Sequence, residues 1–255
     1  MKIEYHWLDK SFPLICATST RLGGVSPKPY NTLNLAYHVG DNPKNVMKNR
    51  ELFCHELGIE ASSLVLANQV HGDRVELIED KLAGCGAYGI DDAIPNTDAM
   101  ITMSNKVSIG IMTADCVPVM IYDPVKSAIG VAHAGWKSAI LMIASKTIKN
   151  MNEAFGTNPS DCIVAFGASI KACCYEVGKE IISQFDAIFG VGRCTKDNNL
   201  DLPKAVEFQL IDIGVKKENI SSNNVCTACN LGLYYSHRAE NGVTGRMMSV
   251  MRLTT

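Results

Sequence analysis

Two histidines and one cysteine stand in segments whose neighbouring residues suit an exposed reactive centre. His71, Cys116 and His133 occur in the segments NQVHG, TADCVP and VAHAGW, respectively. In each segment the side chain ends an apolar run and is followed closely by Gly, Pro or another small residue, which is typical of a strand end. Two imidazoles and one thiolate are three zinc ligands, and they leave the fourth tetrahedral position open, as in catalytic zinc sites.

The residue types alone leave a structural alternative open. The intervals between these three residues are too long for a compact zinc-finger motif. On composition alone, the same pattern could be two hydrogen-bonded histidines at strand ends and a buried thiol in the core.

Composition excludes several classes of protein. The chain has 255 residues, 47% hydrophobic and 20% charged, with a net charge of −2, so it carries no basic surface for nucleic acid. No apolar stretch approaches the length that crosses a membrane, and the N-terminus lacks the apolar core of a signal peptide. Ten cysteines in a chain of this length fall below the content of disulfide-rich scaffolds. We therefore expect a cytoplasmic protein with reduced thiols.

The pattern along the chain predicts one domain over residues 1–255, of the α+β or mixed α/β class. Apolar runs bounded by turn residues predict strands, and apolar residues at helical spacing predict helices. The predicted strands are 12–18, 64–69, 75–78, 99–103, 107–112, 117–122, 128–132 and 162–167. The predicted helices are 43–57, 138–150, 179–189 and 204–213. Asp123-Pro124 predicts a turn that makes a hairpin of strands 117–122 and 128–132.

Seven motifs occur in an order that resembles a known family. They are NQVHG, TADCVPVMIYDP, GVAHAGWKS, GASIKACCYEVG, DLPKA, VCTAC and YYSHRAENGVTGR. The chain resembles the laccase-domain or polyphenol-oxidase-like family, also known as the YfiH/YlmD/FAMIN-like purine nucleoside phosphorylase family. The likeness begins at residues 18–26 and extends almost to the C-terminus.

The resemblance implies a fold, a metal and two reactions. The fold is a single domain of mixed β-sheets with helices packed outside. One Zn²⁺ per chain is bound by His71, Cys116 and His133, which are also the catalytic residues. The implied substrates are phosphate and purine nucleosides. Adenosine, inosine, guanosine and methylthioadenosine undergo phosphorolysis to the base and ribose 1-phosphate, and adenosine is also deaminated to inosine.

Phosphorolysis requires a cation for phosphate, and the arginine guanidinium offers two parallel hydrogen bonds. Arg21 and Arg238 lie in loop motifs that the family shares, so we expect them to bind phosphate or substrate. An ordinary ion pair is the structural alternative for each. Many family members carry Arg after Trp136, whereas this chain has Lys137, which keeps the charge but loses the planar fork.

Several further residues allow both a functional and a structural interpretation. Cys226 and Cys229 have CxxC spacing, but a structural zinc site needs a second pair, and Cys173-Cys174 is not a CxxC. Two reduced thiols near a turn are therefore expected there, with a second metal site as the alternative. Four other residues could act near the site: Asp115 by orienting a ligand, Glu176 as an acid or base, His38 beside the site, and Trp136 by stacking on a base.

Two rival functions follow from the same ligands. A copper-dependent polyphenol oxidase would use two His and one Cys at one copper, but a multicopper laccase needs a separate histidine-rich cluster. The chain has six histidines, and the site already takes two of them. A non-catalytic zinc-containing binding or assembly factor would close its metal with a fourth protein ligand, such as Cys229 or His237.

Overall fold

A computed structural model of the chain describes residues 1–7 and 12–255. In that part of the chain, the strands are β1 (Ile3–Tyr5), β2 (Leu14–Ser19), β3 (Leu64–Leu66), β4 (Val75–Leu77), β5 (Ala99–Thr102), β6 (Ser108–Thr113), β7 (Val117–Asp123), β8 (Ala128–Ala134), β9 (Ile163–Phe166), β10 (Thr195–Lys196), β11 (Asn199–Leu200), β12 (Ile220–Ser222) and β13 (Met247–Leu253). The α-helices are α1 (Pro43–Leu57), α2 (Trp136–Ile140), α3 (Ile143–Phe155), α4 (Lys179–Phe189) and α5 (Leu202–Asp212). Single turns of 3₁₀ helix occupy Tyr37–Val39, Ala61–Ser63, Asp80–Leu82, Pro159–Asp161 and Lys217–Asn219.

Most strands belong to two mixed sheets. The first has the order β1-β2-β13-β6-β3, and the second has the order β12-β9-β7-β8-β5-β4. The centre of each sheet is antiparallel, while β3, β4 and β12 pair in parallel at the edges. A two-stranded ribbon of β10 and β11 lies apart.

The two sheets pack face to face between layers of helices. The apolar cluster between them includes Ile109 and Met251 of the first sheet and Met100 and Met120 of the second. The outer face of the second sheet packs on α3, α4 and α5, and the outer face of the first packs on α1. Because both faces of each sheet are covered, the central strands are continuous apolar runs rather than alternating ones.

Local signals correctly predict several elements. The helix 43–57 begins where Asn42 accepts a hydrogen bond from the backbone of Lys44, with Pro43 at its first position, and it ends at Gly58 with φ +67°. The predicted helix 179–189 is α4, and β7 and β8 form the predicted hairpin around Pro124. The mixed α/β fold with helices outside two sheets is confirmed.

The predicted single helix 138–150 is wrong, because two helices meet at a break. Met142 has a left-handed backbone with φ +65°, which interrupts the helix. The Gln209 side chain from α5 fills the gap, where it donates to the Ala139 carbonyl at 2.8 Å and accepts from the Ala144 N–H at 3.3 Å. These bonds satisfy backbone groups that the break leaves without helical partners.

Two other differences bear on the site. The predicted strand 64–69 ends at Leu66, so the residues before His71 form a loop. Strand β13 has no counterpart in the sequence prediction, although it joins β2 to β6 in the middle of the first sheet. None of the helices in residues 1–7 and 12–255 has both the length and the apolar character needed to span a membrane.

Candidate metal centre and its cavity

The three predicted ligands come from three separate elements that meet at one edge of the second sheet. His133 is the penultimate residue of β8, and Cys116 immediately precedes β7, the partner of β8 in the hairpin. His71 lies in the loop between β3 and β4. The hairpin register, which pairs Val117 with Ala134, places Cys116 close to His133.

The donor atoms of His71, Cys116 and His133 all lie within 4.8 Å of one another. The Cys116 Sγ to His71 Nε2 distance is 3.8 Å, close to the roughly 3.6 Å expected for S and N ligands of a tetrahedral zinc. The two imidazole rings are nearly perpendicular, with centroids 4.7 Å apart. Gly135 keeps the site open, since a Cβ there would lie 2.6 Å from the His71 ring. This donor set can hold a metal ion.

Asp98, which sequence reasoning missed, holds two of the three candidate ligands in place. Its carboxylate contacts His133 Nδ1 at 2.8 Å, which leaves Nε2 of that ring for a metal. The same carboxylate accepts the backbone N–H groups of Val70, His71 and Gly72 at 3.1, 3.0 and 2.7 Å. His133 also donates its backbone N–H to the Asp98 carbonyl at 2.8 Å. One fully buried residue therefore fixes both a strand ligand and a loop ligand.

Interactions within the site shift the pKa values of its groups. Burial raises the pKa of the Cys116 thiol, but His133 and His71 outweigh burial and lower that pKa to about 6. Burial lowers the pKa of the His133 imidazole, but Cys116 and Asp98 outweigh it and raise that pKa to about 9. Cys116 is therefore stabilised as a thiolate, the form that binds a metal.

Two site residues have left-handed backbone conformations, which are uncommon for residues other than glycine. The φ angles are +59° at His71 and +90° at Asp115. Gln69 steadies the first loop by exchanging two hydrogen bonds with the backbone of Met112, at 2.7 and 2.9 Å. Such conformations persist where surrounding contacts hold them, and they are frequent at functional sites.

The metal-competent side chains line a cavity of about 490 Å³, a volume ordinary for small-molecule sites. Its wall includes the aromatic rings of Tyr37, Trp136 and Tyr175. Tyr37 and Thr113 line it too, but their hydroxyl oxygens are buried away from solvent and, among the described residues, have no hydrogen-bond partner. Buried polar groups normally have a partner, so these two hydroxyls are exceptions in the wall of the cavity.

Arg50, Arg238 and Arg246 also line the cavity. In the described part of the chain, none of the three forms an ion pair with a carboxylate. Backbone carbonyl groups hold them instead: Arg238 Nη1 donates to Glu176 O at 2.6 Å, and Arg246 Nη1 donates to the carbonyls of Thr244 and Gly245 at 3.0 Å each. Burial lowers the pKa of Arg246, and the nearby Cys116 and Asp115 offset that shift only in part. The cavity wall is therefore suited to an anion.

The two arginines predicted to bind phosphate lie in different environments. Arg238 lies on the cavity, but Arg21 is not among the residues that line it. The Arg21 side chain is buried, forms an ion pair with Glu240 at 3.1 Å, and donates to the Asn31 and Leu231 carbonyls at 2.9 and 2.8 Å. Its donors are used within the protein, which leaves the guanidinium poorly placed to bind phosphate. Arg246 was missed although it ends the same motif as Arg238, YYSHRAENGVTGR, and Arg50 was missed because it lies within the predicted helix 43–57.

The remaining candidates have distinct positions. The Asp115 carboxylate accepts hydrogen bonds from the Thr227 hydroxyl and from the backbone N–H of Arg238, both at 2.7 Å, rather than from a metal-competent side chain. His38 and Trp136 line the cavity, whereas Glu176 and Lys137 are exposed and lie outside its lining. His237 also lines the cavity, but its ring nitrogens are not among the converging donor atoms. Cys229 belongs to a separate cysteine cluster. Within the described chain, the site is thus limited to three protein ligands.

Two stacked mixed sheets and an open His–Cys–His donor set define this chain as a mixed α/β protein with a metal-competent cavity. Comparisons with known proteins then identify its family. The chain matches the family model described as multi-copper polyphenol oxidoreductase laccase over residues 15–254. It is 38% identical over 242 residues to purine nucleoside phosphorylase YlmD of Bacillus subtilis, covering 92% of this chain and 87% of that protein. The chain belongs to this laccase-like family.

Solved structures agree with this assignment. The crystal structure of YlmD from Geobacillus stearothermophilus superimposes with a TM-score of 0.92 at 30% identity, covering 95% of this chain and 93% of that one. The crystal structure of the Bacillus licheniformis hypothetical protein YfiH has a TM-score of 0.90 at 33% identity, covering 94% and 92%.

Proposed function

We propose that this protein is a zinc-dependent purine nucleoside enzyme that catalyses both phosphorolysis of purine nucleosides and deamination of adenosine. The observation that carries the proposal is the three-ligand site at a cavity whose wall combines aromatic rings with arginines free of carboxylate partners. Relatives that share most of their length with this chain bear the name purine nucleoside phosphorylase.

Zinc fits the donor set of His71, Cys116 and His133. Two imidazoles and a thiolate are borderline-soft ligands, and the buried Asp98 carboxylate on His133 is the supporting contact usual at zinc sites. Three protein ligands leave a fourth position toward the cavity. When bound there, zinc supplies Lewis acidity at the cavity floor.

The cavity suits a purine nucleoside and phosphate together. The rings of Tyr37, Trp136 and Tyr175 offer stacking surfaces for the base. Arg238 and Arg246 bind phosphate and orient it toward C1′ of the sugar. In phosphorolysis a phosphate oxygen bonds to C1′ while the C1′–N9 bond breaks, and the purine leaves as its nitrogen takes a proton.

Deamination uses the same cavity without phosphate. Water adds to C6 of adenosine, the C6–N bond breaks, and ammonia leaves to give inosine. Zinc nucleobase deaminases use a comparable His and Cys ligand set for attack on a ring carbon that carries an amine. Both reactions therefore place their reacting atoms in one metal-containing cavity.

The decisive experiment incubates the zinc-loaded protein with adenosine, inosine, guanosine or methylthioadenosine, with and without phosphate, and separates the products by chromatography. We expect free base and sugar 1-phosphate in equal amounts only when phosphate is present, with ribose 1-phosphate from the three ribonucleosides and 5-methylthioribose 1-phosphate from methylthioadenosine. Inosine should form from adenosine whether or not phosphate is present. If no nucleoside is consumed by protein of verified zinc content, the proposed function is wrong.

Metal analysis separates the two rival functions. In the described residues, metal-competent donors converge at the His–Cys–His site and at a cluster of four cysteines, and neither is the histidine-rich cluster that a multicopper oxidase needs. A stoichiometric copper content with a thiolate-to-copper absorption band would favour a phenol oxidase. Zinc with no turnover of any nucleoside would favour a binding or assembly factor.

A further inference from the structure

Four cysteines outside the cavity lie together in space although they are distant in sequence. Cys173 and Cys174 belong to a turn after β9, and Cys226 and Cys229 belong to the segment between β12 and β13. All four thiols are free, and their sulfur atoms all lie within 4.8 Å of one another. The vicinal pair therefore supplies the second pair of ligands that the CxxC motif lacks in the sequence.

We infer that Cys173, Cys174, Cys226 and Cys229 form a second metal site, which binds one Zn²⁺ through four thiolates and is structural rather than catalytic. A metal there would take no direct part in the proposed nucleoside chemistry. Four sulfur ligands leave no open position, unlike the three ligands at His71, Cys116 and His133.

The distances agree with a single ion at the centre of the cluster. With Zn–S bonds of about 2.3 Å, tetrahedral geometry separates the sulfur atoms by about 3.8 Å. The Cys229 Sγ lies 3.8 Å from the sulfur of Cys173 and 3.3 Å from that of Cys174. Two disulfides would draw the sulfurs together in separate pairs. Here all four converge on one point instead.

Backbone hydrogen bonds prepare the cluster for a metal. The Lys171 N–H donates to Cys226 Sγ at 3.5 Å, and the Cys229 N–H also donates to that sulfur. Such bonds stabilise a thiolate and orient it toward a metal. The Thr227 N–H donates to the Ser169 carbonyl at 3.2 Å, which holds the two cysteine segments side by side. The ligands are thus positioned by contacts that do not depend on the metal.

The cluster supports one wall of the cavity. Tyr175, which lines the cavity, directly follows Cys174, and the Arg238 guanidinium carbon lies 5.1 Å from its ring centroid. Thr227, within the CxxC motif, donates to the same Asp115 carboxylate that accepts the Arg238 N–H. A metal that links the two cysteine segments would therefore hold Tyr175 and Arg238 in position.

The test measures metal content by elemental analysis of protein purified under reducing conditions. We expect two zinc ions per wild-type chain and one per chain in the double variant Cys226→Ser/Cys229→Ser. Cys85→Ser, which changes a free cysteine outside both sites, is the matched control and should retain two. Equal zinc contents of the wild type and the double variant, or stoichiometric iron, would overturn the inference.

A second measurement does not require the double variant to fold. Cys116→Ala lacks the thiolate of the cavity site, so Co²⁺ bound to this variant reports on the remaining cysteines. We expect one Co²⁺ per chain, with the strong visible and sulfur-to-metal bands of tetrahedral thiolate ligation. A four-thiolate site would be contradicted if the variant bound no Co²⁺ or gave only a weak octahedral spectrum. It would also be contradicted if intact mass showed a disulfide in protein freshly purified under reducing conditions.

Discussion

The cavity site and the cysteine cluster contrast in ligand number and in support. The cavity site takes His133 from a central strand and Cys116 from the adjoining turn, and a buried carboxylate holds its histidines. The cysteine cluster takes all of its sulfurs from loops, and two of them are exposed. A rigid sheet edge can present three ligands accurately and leave a position for substrate. At the cluster, a fourth thiolate would close the coordination shell and add a link between loops that backbone hydrogen bonds already hold side by side.

The largest effect that separates the two sites is expected for Cys116→Ala. The change removes the only thiolate of the cavity site, so metal affinity there should fall and both reactions should slow by more than about a hundredfold. The fold should survive, because a chain of this size does not depend on a metal for its core. Product formation, elemental analysis and thermal melting measure these outcomes. Full turnover of either reaction by the folded variant would mean that this site does not catalyse it.

Asp98→Asn tests whether the buried carboxylate supports the cavity site. The variant lacks the carboxylate charge beside His133, and its amide accepts weaker hydrogen bonds from the backbone N–H groups of residues 70–72. Metal affinity should therefore fall about 10- to 100-fold. Competition with a chromophoric chelator measures that affinity. Asp73→Asn is the control, because Asp73 forms only a partly exposed ion pair with Lys146. Equal affinities of the two variants would show that Asp98 serves folding alone.

Substitution of the cavity arginines should have a smaller effect, confined to phosphate binding. Arg238→Ala and Arg246→Ala should each raise the KM for phosphate by about tenfold, from loss of a charge-assisted hydrogen bond of ~1.5 kcal/mol. Zinc content should not change. Steady-state phosphorolysis at varied phosphate concentration measures this effect. An unchanged KM in both variants would remove these residues from the phosphate site.

Arg21→Ala completes that comparison. Its guanidinium is paired with Glu240 and bound to backbone carbonyls, so the change should lower thermal stability and leave the KM for phosphate unaltered. The unpaired carboxylate and carbonyls should cost about 1–3 kcal/mol of unfolding free energy. Calorimetry and the same kinetic assay distinguish the two roles. A raised KM at unchanged stability would return Arg21 to the phosphate site.

The smallest effect is expected at the cysteine cluster. Cys229→Ser should lower the melting temperature by about 2–4 °C for each kcal/mol of unfolding free energy that it removes. It should change turnover much less than Cys116→Ala does. Added zinc should stabilise the wild type more than this variant. Equal responses to zinc in melting experiments would show that the cluster contributes no metal-dependent stability.

Local sequence signals predicted the three residues that meet at the cavity and the clearest helices. His71, Cys116 and His133 each follow an apolar run, and α1 carries its own capping residues, so nearby residues determine these features. The break at Met142 was missed because Gln209, which satisfies it, comes from another helix. A regular apolar period across residues 138–150 contains no sign of that distant side chain.

Long-range contacts explain the other misses. Asp98 reads as an ordinary polar residue before a strand, and its role appears only when β5 pairs with β8 and brings it to His133. Five elements, α4, β10, β11, α5 and β12, separate Cys173 and Cys174 from the CxxC motif, so the spacing of the four cysteines resembles no zinc motif. Arg246 reaches the cavity because β13 inserts between β2 and β6, a pairing that spans almost the whole chain.

The four hydrogen bonds to the Asp98 carboxylate also bear on the entropy of metal binding. The loop that carries His71 is already ordered in its left-handed conformation, so an ion that binds there does not have to immobilise it. Affinity is then set by how well the ion's radius and preferred geometry match a fixed spacing of donors. The same rigidity links the two histidines, because any change that frees the carboxylate displaces both at once.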